Sequence, residues 1–507
     1  MSNITGRVLG AAGGVAVGRV PEDPDEARDR RRWLVLAVVA IAQLMVVLDA
    51  TIVNIALPSA QRALHFSNAD RQWVVTAYAL AFGSLVLLGG RLSDLLGRKV
   101  TFLAGLAGFA AASAVGGAAT SFGMLVVARA CQGAFGALLA PSALSLLTTT
   151  FSGSRDRGKA FGVFGGIAGA GGGVGLLLGG LLTEYLSWRF CLEVNLVFAA
   201  IAGAGAAVLL RREPARQQRS LDLPGVLAEA AGMFCIVYGF SNAATHGWRA
   251  SSTWGFLAAG AAGLAVFAWW ETLAARPLLP LRIVLDRNRA AAYLSILIAG
   301  AGMFGIFLFL TYYLQNTLGY SPVTTGVAFL PMVACIVACA NLSNIVLLPR
   351  IGPRLLVAPG MLLAAAGLVW LTRIGVHSSY ASAVLSSLLV TGAGIGFTVS
   401  PSINTATFGA APSDAGVASA LVNTGQQVGG SIGTSLLNSM VTSATAAYLA
   451  ASASRRAGGR PSPGLAELAQ VHGYITAFWW AAGIFASGAV IAGLLFHRGV
   501  LPRPGSG

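Results

Sequence analysis

The chain has 507 residues, of which 56% are hydrophobic and only 10% are charged. Soluble domains average about 25% charged residues, and a soluble chain of this length needs a charged exterior around several cores. The composition therefore argues against a soluble multidomain enzyme and indicates a polytopic membrane protein. The net charge of +15 would, in a soluble protein, suggest a nucleic acid as partner.

Apolar stretches repeat along almost the whole chain. Each is about 20 residues long, which is enough to cross the ~30 Å hydrocarbon core of a bilayer as a helix. The pattern predicts an all-α membrane protein with fourteen transmembrane helices. The predicted spans are 33–57, 71–91, 99–119, 122–149, 160–182, 190–210, 222–243, 254–274, 291–314, 323–348, 355–374, 381–406, 415–440 and 473–497.

The basic residues are distributed unevenly between the two sides of the membrane. If the N-terminus is cytoplasmic, 24 of the 33 lysines and arginines fall in inner segments, 8 fall in outer segments and Arg129 lies inside a span. This excess follows the positive-inside rule and predicts that both termini are cytoplasmic. No contiguous basic face with interleaved aromatic residues is visible, so a nucleic-acid partner is not expected.

Two terminal segments and one bridging segment outside the spans carry further predictions. Residues 1–32, which end in the charged run PEDPDEARDRRR, lack the order of a signal peptide and predict a disordered cytoplasmic tail. Residues 498–507 form a second cytoplasmic tail. The outer segment 441–472 carries RRAGGRPSPG at its centre and is expected to be flexible.

Motifs for enzymes and cofactors are incomplete. Residues 153–159 match GxxxxGK, but Ala160 stands where a phosphate loop needs a magnesium-binding hydroxyl, and no strand precedes the segment. The five cysteines all fall in spans and the five histidines are scattered. Such spacing does not form a metal site. We therefore expect no metal, no cofactor and no enzymatic activity.

Two charged residues stand out inside the predicted spans. Asp49 is 16 residues past Trp33, or ~24 Å across a ~30 Å core, and Arg129 lies ~10 Å from the same outer edge. Charges in hydrocarbon are costly and mark a function or a partner. One interpretation is a proton-carrying carboxylate tuned by the arginine, since burial favours the neutral acid and a cation favours the carboxylate. The alternative is a static ion pair that orients two helices.

Other polar residues within or near the spans have two interpretations. They could line a central cavity for a lipophilic ligand, or they could hydrogen-bond and pack between helices. Glu229, about two turns into the seventh span, is left without an assigned role. The candidate cavity residues are Gln43, Asn54, Tyr78, Gln132, Tyr313, Gln315, Asn341, Asn423 and Gln426.

Three segments resemble motifs of the major facilitator superfamily. Residues 90–99, GRLSDLLGRK, are similar to the signature GxLxDxxGxRK between the second and third helices. Residues 129–136, RACQGAFG, resemble the fourth-helix motif RxxQGxG, and residues 48–58, LDATIVNIALP, resemble the first-helix motif. Together with fourteen spans, the first-helix motif points to the drug:H+ antiporter branch. The resemblance covers nearly all of 33–497 and is strongest over 43–195.

The resemblance implies an architecture and a mechanism. Two six-helix bundles, 33–210 and 276–497, would be joined by a linker with two extra helices, 211–275, and would rock between inward- and outward-open states. In this scheme the proton gradient drives transport, with Asp49 carrying the proton and Arg129 tuning it.

The resemblance also implies a gate at the cytoplasmic ends, where charge contacts must break as the bundles rock. In the second half Gly352 is kept, but Pro349 stands where the acidic residue would be. The gate is therefore expected mainly in the first half. Its residues are Gly90, Asp94, Gly97, Arg98 and Lys99.

The fifth span departs from the antiporter pattern, which ends GPxxGG. Leu176 stands in the place of the proline, which would remove a backbone donor and kink the helix. The glycines still permit close helix packing, so antiport remains the expectation. The matching glycines are Gly171, Gly175, Gly179 and Gly180.

The sequence thus predicts a monomeric exporter in the bacterial inner membrane. It would move a lipophilic compound, lipophilic cations included, outward in exchange for protons. One alternative is a transporter of the same fold for a sugar, peptide or metabolite. The other is a membrane sensor or scaffold that does not transport.

Overall fold

The computed structural model describes residues 24–67, 70–151, 156–210, 222–274, 279, 281–408, 415–454 and 463–499. Within these ranges the chain is helical and contains no β-strand. The all-α prediction is confirmed. Six helices form the first half of the protein: α1 (Pro24–Leu64), α2 (Gln72–Leu96), α3 (Arg98–Gly117), α4 (Phe122–Thr150), α5 (Arg157–Tyr185) and α6 (Phe190–Leu209).

Two helices follow the first half and pair with each other, α7 (Leu223–His246) and α8 (Ser251–Leu273). The second half continues with short helices between the long ones, and three π-helical turns extend α10, extend α11 and precede α14. Its helices are α9 (Leu281–Leu285), α10 (Arg287–Tyr312), α11 (Pro322–Leu342), α12 (Leu348–Ile351), α13 (Arg354–Leu371), α14 (Ser386–Thr407), α15 (Ala415–Ser454) and α16 (Pro463–Leu495).

Each of the fourteen predicted spans coincides with a helical segment. Among the described residues, twelve helical stretches are long and apolar enough to cross a membrane. The other two predicted spans lie in α5 and α15, which have 29 and 40 residues and are long enough to cross. The many Ser, Thr, Asn and Gln side chains of α15 lower its hydropathy.

The boundaries of three helices differ from the prediction. Residues 24–32 form the start of α1, so the prediction of disorder was wrong for this part of the first tail. Residues 1–23 lie outside the described ranges, as do residues 500–507 of the second tail. The outer segment 441–472 is also largely helical, because α15 runs to Ser454 and α16 starts at Pro463. Only 455–462 of that segment lie outside the described residues.

Local sequence signals start several of these helices. The side chains of Ser121, Asp222, Asp286 and Ser321 each accept a hydrogen bond from the backbone N–H three residues later. Such caps satisfy backbone donors that a helix leaves free at its N-terminus. Gly97 separates α2 from α3 with a φ of +89°, a conformation that favours glycine.

The two halves pack as separate groups of helices and meet mainly along two pairs, α5 with α11 and α2 with α15. The α7–α8 pair packs against α2 and α15 and so contacts both halves. We call the end of the molecule at Arg98 and Lys99, where α2 meets α3, the basic end. The other end, where α1 meets α2, is called the opposite end.

Candidate functional site

The side chain of Asp49 lies inside the first half, where four helices converge. It is fully buried on α1, and the arginine and glutamine of the fourth-helix motif face it from α4. Asn195 reaches it from α6, and Ser113 of α3 closes the group. We call these residues the Asp49 network: Asp49, Ser113, Arg129, Gln132 and Asn195.

Both oxygens of the Asp49 carboxylate are held. Oδ2 lies 2.5 Å from Nη1 of Arg129. Oδ1 accepts hydrogen bonds from Nδ2 of Asn195 at 2.8 Å and from Nε2 of Gln132 at 3.1 Å. Taking an ion pair out of water costs several kcal/mol per ion, which is offset only when further hydrogen bonds satisfy it. The amide donors supply those hydrogen bonds here.

Arg129 is held as firmly as its partner. Its Nε donates to the carbonyl of Val74 at 3.0 Å, and Nη1 also donates to Oε1 of Gln132 at 2.9 Å. The guanidinium carbon lies 4.5 Å from the centre of the Tyr78 ring, a cation–π geometry. The arginine therefore connects α4 with α1 and α2.

The network has spare hydrogen-bonding capacity. The hydroxyl of Tyr78 and Oδ1 of Asn195 are buried without a hydrogen-bond partner. If Asp49 took a proton, its acid group would become a donor and Arg129 would lose its anionic partner.

The glycines of the fifth-span motif pack α5 against the helix that carries Asp49. A Cβ on Gly171 would lie 3.1 Å from Val47, and one on Gly179 would lie 2.9 Å from Ile52. A Cβ on Gly175 would collide with Oγ1 of Thr51. Gly180 instead faces the second half, where a Cβ would lie 2.6 Å from the carbonyl of Pro322. Leu176, in the place of the proline, is fully buried.

The gate residues lie at the basic end. Lys99 donates to the carbonyls of Ala207 and Leu210, at 2.7 and 2.6 Å, and so caps the C-terminus of α6. Gly90 lies on α2, where a Cβ would make only ordinary contact, and Arg98 begins α3. The side chain of Asp94 lies outside the described part of the structure. The gating role of all five residues therefore stays a prediction.

The two halves are joined at the opposite end by polar contacts that the sequence did not reveal. Arg71, with only 4% of its surface exposed, donates to Oδ1 of Asn438 at 3.2 Å. Tyr312 donates to Oε1 of Gln61 at 2.8 Å. Glu184, beyond the predicted span of α5, accepts from the N–H of Val323 at 2.9 Å. We call these contacts the seam; they come from Gln61, Arg71 and Glu184 of the first half and Tyr312, Val323 and Asn438 of the second.

Nothing in the sequence indicates that Arg71 is buried, because it lies at the outer end of the second predicted span. Nothing in the sequence assigns Asn195 a partner. In both cases the missing information is which neighbouring helix faces the residue.

The predicted cavity residues lie in different surroundings. Gln132 belongs to the Asp49 network, and the ring of Tyr78 packs against Arg129. Asn54 is buried and donates to the carbonyl of Ala50 on its own helix at 3.3 Å. Tyr313 is buried in the second half, with its hydroxyl donating to Gly375 at 2.7 Å, and Gln315 donates to the carbonyl of Ile55 at 3.2 Å.

The remaining four cavity residues are not brought into one group by any described contact with one another. Asn341 is exposed and donates to Val337 of its own helix at 2.9 Å. Gln43, Asn423 and Gln426 are half-buried. A role in lining a cavity stays a prediction for all nine. No cluster of His, Cys, Asp and Glu suited to a metal ion occurs in the described part of the chain.

Comparison with known families matches residues 39–434 to the model described as Major Facilitator Superfamily. The chain belongs to the major facilitator superfamily. It is therefore a multi-pass membrane protein of a transporter family, as the motifs of the first, second and fourth helices predicted.

Curated relatives are similar over most of their length. The chain is 47% identical to the puromycin resistance protein pur8 of Streptomyces alboniger, with 92% of each chain covered. It is 38% identical to the cephamycin export protein CmcT of Amycolatopsis lactamdurans, with 81% and 85% covered. It is 36% identical to the tetracenomycin C resistance and export protein of Streptomyces glaucescens, with 84% and 78% covered. These relatives are resistance and export proteins, in agreement with the prediction that the chain is not an enzyme.

Solved structures share the fold at low sequence identity. A bacterial homologue of the human lysosomal transporter Spinster, in an inward-facing and unoccupied conformation, is 15% identical and has a TM-score of 0.62, with 92% and 97% covered. The human organic anion transporter MFSD10 is also 15% identical, with a TM-score of 0.60 and 91% and 99% covered.

Proposed function

We propose that this protein is a proton-coupled exporter of lipophilic antibiotics or drugs, lipophilic cations included. It works as a monomer in the bacterial cytoplasmic membrane, with both termini cytoplasmic and the basic end facing the cytoplasm. Support for the substrate class comes from the relatives, which include a puromycin resistance protein and a cephamycin export protein. Support for the orientation comes from the excess of basic residues in the inner segments.

The observation that carries the proton coupling is the buried Asp49–Arg129 pair. In the proposal Asp49 exchanges its arginine partner for a proton, and Arg129 sets how readily this happens. The carboxylate is the better proton carrier of the two, because arginine stays protonated in proteins. Gln132 of α4 and Asn195 of α6 donate to the same carboxylate oxygen. Protonation of Asp49 would therefore change contacts between several helices.

Alternating access is proposed to be a rocking of 33–210 against 276–497, with 211–275 as the connecting unit. The seam closes the opposite end, so in this conformation the ligand site would be reached from the basic end. Opening to the outside has to break the Arg71–Asn438, Gln61–Tyr312 and Glu184–Val323 contacts. Asp94, Arg98 and Lys99 would form the matching gate at the basic end.

Everted membrane vesicles test the proposal. Vesicles that contain the wild-type protein are energised with an inside-acid proton gradient, and uptake of puromycin and of a panel of other antibiotics is measured. We expect uptake of at least one of them that stops when the gradient is collapsed. Asp49→Asn should abolish coupled uptake, while Asp70→Asn, an acidic residue in the exposed turn before α2, should not.

Three outcomes would contradict the proposal. Uptake that survives collapse of the gradient would exclude proton coupling, as would an Asp49→Asn protein that remains fully coupled. Uphill transport of a sugar, peptide or metabolite, with no transport of any drug, would favour a transporter of the same fold for another class of solute. Absence of any flux would favour a sensor or scaffold.

A further inference from the structure

Glu229 of α7 is a buried carboxylate that the Asp49 network does not use. Only 2% of its surface is exposed, and both of its carboxylate oxygens lack a hydrogen-bond partner. It lies six residues past the start of α7 at Leu223, or ~9 Å along the helix. An ionised carboxylate without partners is very unfavourable in such a place, and the group becomes neutral instead.

The surroundings of Glu229 are set by a small apolar cluster that joins three helices. Leu80 of α2, Val237 of α7 and Val428 of α15 are buried together, with Met233 and Ile432 packed against them. A Cβ on Gly83 of α2 would lie 3.0 Å from Val428. The first half, the second half and the inserted α7–α8 pair therefore meet here.

One helical turn towards the basic end, each of the three helices carries a polar side chain. Glu229 precedes Met233 by four residues on α7, Ser84 follows Leu80 by four on α2, and Thr424 precedes Val428 by four on α15. Residues four apart lie on the same face of a helix. The hydroxyls of Ser84 and Thr424 are buried without hydrogen-bond partners, as is the carboxyl group of Glu229.

The neighbouring helices bring no charge to this layer. Between residues 415 and 454, α15 contains no acidic or basic residue, and on α2 Arg91 and Asp94 lie further towards the basic end. On α8, Glu271 also lies nearer the basic end and accepts from the N–H of Leu279. Tyr78 of α2 faces Arg129 inside the first half.

We propose that Glu229 is a second proton-binding residue of the transporter, at the layer where α7 meets α2 and α15. It is protonated while α2 and α15 are packed together, and it loses its proton when rocking separates them and admits water. The site takes a proton and no larger cation, because the layer is buried and tightly packed. This inference rests on the proposed function, in that the α2–α15 contact is assumed to open during transport.

The proposal predicts how the opening of this layer depends on pH. The closed layer binds one proton more than the open one, so opening is favoured as the pH rises. A single linked proton changes the opening equilibrium by up to about tenfold per pH unit. The measurement is hydrogen–deuterium exchange of peptides from 225–240 and 420–432 between about pH 5.5 and pH 7.5, after correction for the intrinsic exchange rate of each amide.

In the wild-type protein the protection of these peptides should fall as the pH rises, whereas peptides from α3 should show no such trend. Glu229→Gln, which resembles the protonated acid, should remain folded and should abolish the pH dependence. Glu467→Gln on α16 is the matched control and should keep it. Peptides from 225–240 that show no pH dependence in the wild-type protein would overturn the proposal, whether or not the variant folds.

A pH dependence that persists in Glu229→Gln would also overturn it. The proposed function is judged separately, by the uptake assay on Asp49→Asn. Failure of one experiment is therefore distinguishable from failure of the other.

Discussion

The guanidinium carbon of Arg71 lies 4.2 Å from the centre of the Tyr312 ring. Arg71 belongs to the turn before α2 and Tyr312 is the last residue of α10, so this cation–π contact joins the two halves. Phe309 adds a second ring at 5.7 Å. Nε of Arg71 is buried without a hydrogen-bond partner. The ring contacts therefore contribute much of what holds this cation between the halves.

Arg71→Gln should weaken the seam. A desolvated cation–π contact is worth about 1–2 kcal/mol. The population of the conformation with the seam formed should therefore fall roughly five- to thirtyfold relative to the conformation that is open at the opposite end. We expect slower turnover with little change in the affinity for a transported drug. Flux in proteoliposomes and equilibrium binding measure the two quantities. Arg71→Lys should fall between, because an ammonium stacks less well on a ring. A loss confined to binding would contradict this assignment.

The Asp49–Arg129 pair should respond unequally to the loss of either partner. Breaking a buried pair costs about 3–5 kcal/mol, because a charge remains without compensation. Asp49→Asn leaves Arg129, which cannot lose its proton in a protein. Arg129→Gln leaves Asp49, which can become neutral by taking a proton. We therefore expect Asp49→Asn to lower the thermal unfolding temperature more.

The pH dependence of these two variants supplies a second test. Arg129→Gln should gain stability relative to wild type as the pH falls from about 8 to 5, since protonation of Asp49 removes the uncompensated charge. Asp49→Asn should show no such gain. Parallel pH profiles for the two variants would contradict an exchangeable proton on Asp49.

The glycines of α5 permit a matched comparison. Gly175→Ala would place a methyl group against Thr51 and 3.1 Å from the carbonyl of Leu48. Overpacking of this kind costs about 1–3 kcal/mol, so we expect a lower unfolding temperature and weaker transport. On the same helix, Gly172→Ala would meet only Cγ2 of Thr51 at 3.9 Å and should be tolerated. Equal effects of the two substitutions would mean that the α1–α5 contact is not rigid.

We expect the carboxylate of Glu184 to make the seam sensitive to acid. The hydroxyl of Ser321, and then the N–H of Val323, hydrogen-bond this carboxylate and hold the pKa of Glu184 below its ordinary value. A lowered pKa means that the contact is fully formed above the ordinary value and is lost as the pH falls through the lowered one.

Hydrogen exchange at the start of α11 checks this pH dependence. An anion at a helix N-terminus contributes about 0.3–1 kcal/mol, so the amide of Val323 should lose two- to fivefold protection on acidification. Glu184→Gln should show the reduced protection already at neutral pH and no further loss in acid. An unchanged protection in that variant would exclude a role for the charge.

The sequence alone determined the architecture along the chain. Hydrophobic lengths predicted the spans, and counting residues from span ends put Asp49 and Arg129 at similar depth. These inferences succeed because a bilayer fixes the length of a helix and the cost of a charge inside it. Both inferences need only the position of a residue along the axis of its own helix.

Only the tertiary structure decided which helices face one another. It showed that Asn195 and Gln132 hold the carboxylate of Asp49, and that Arg71, at the outer end of a predicted span, is buried between the halves. It also showed that nothing in the described part of the chain pairs with the carboxyl group of Glu229. The physical reason is that helical periodicity gives the depth and the face of a residue, whereas its partner depends on how helices distant in sequence pack together.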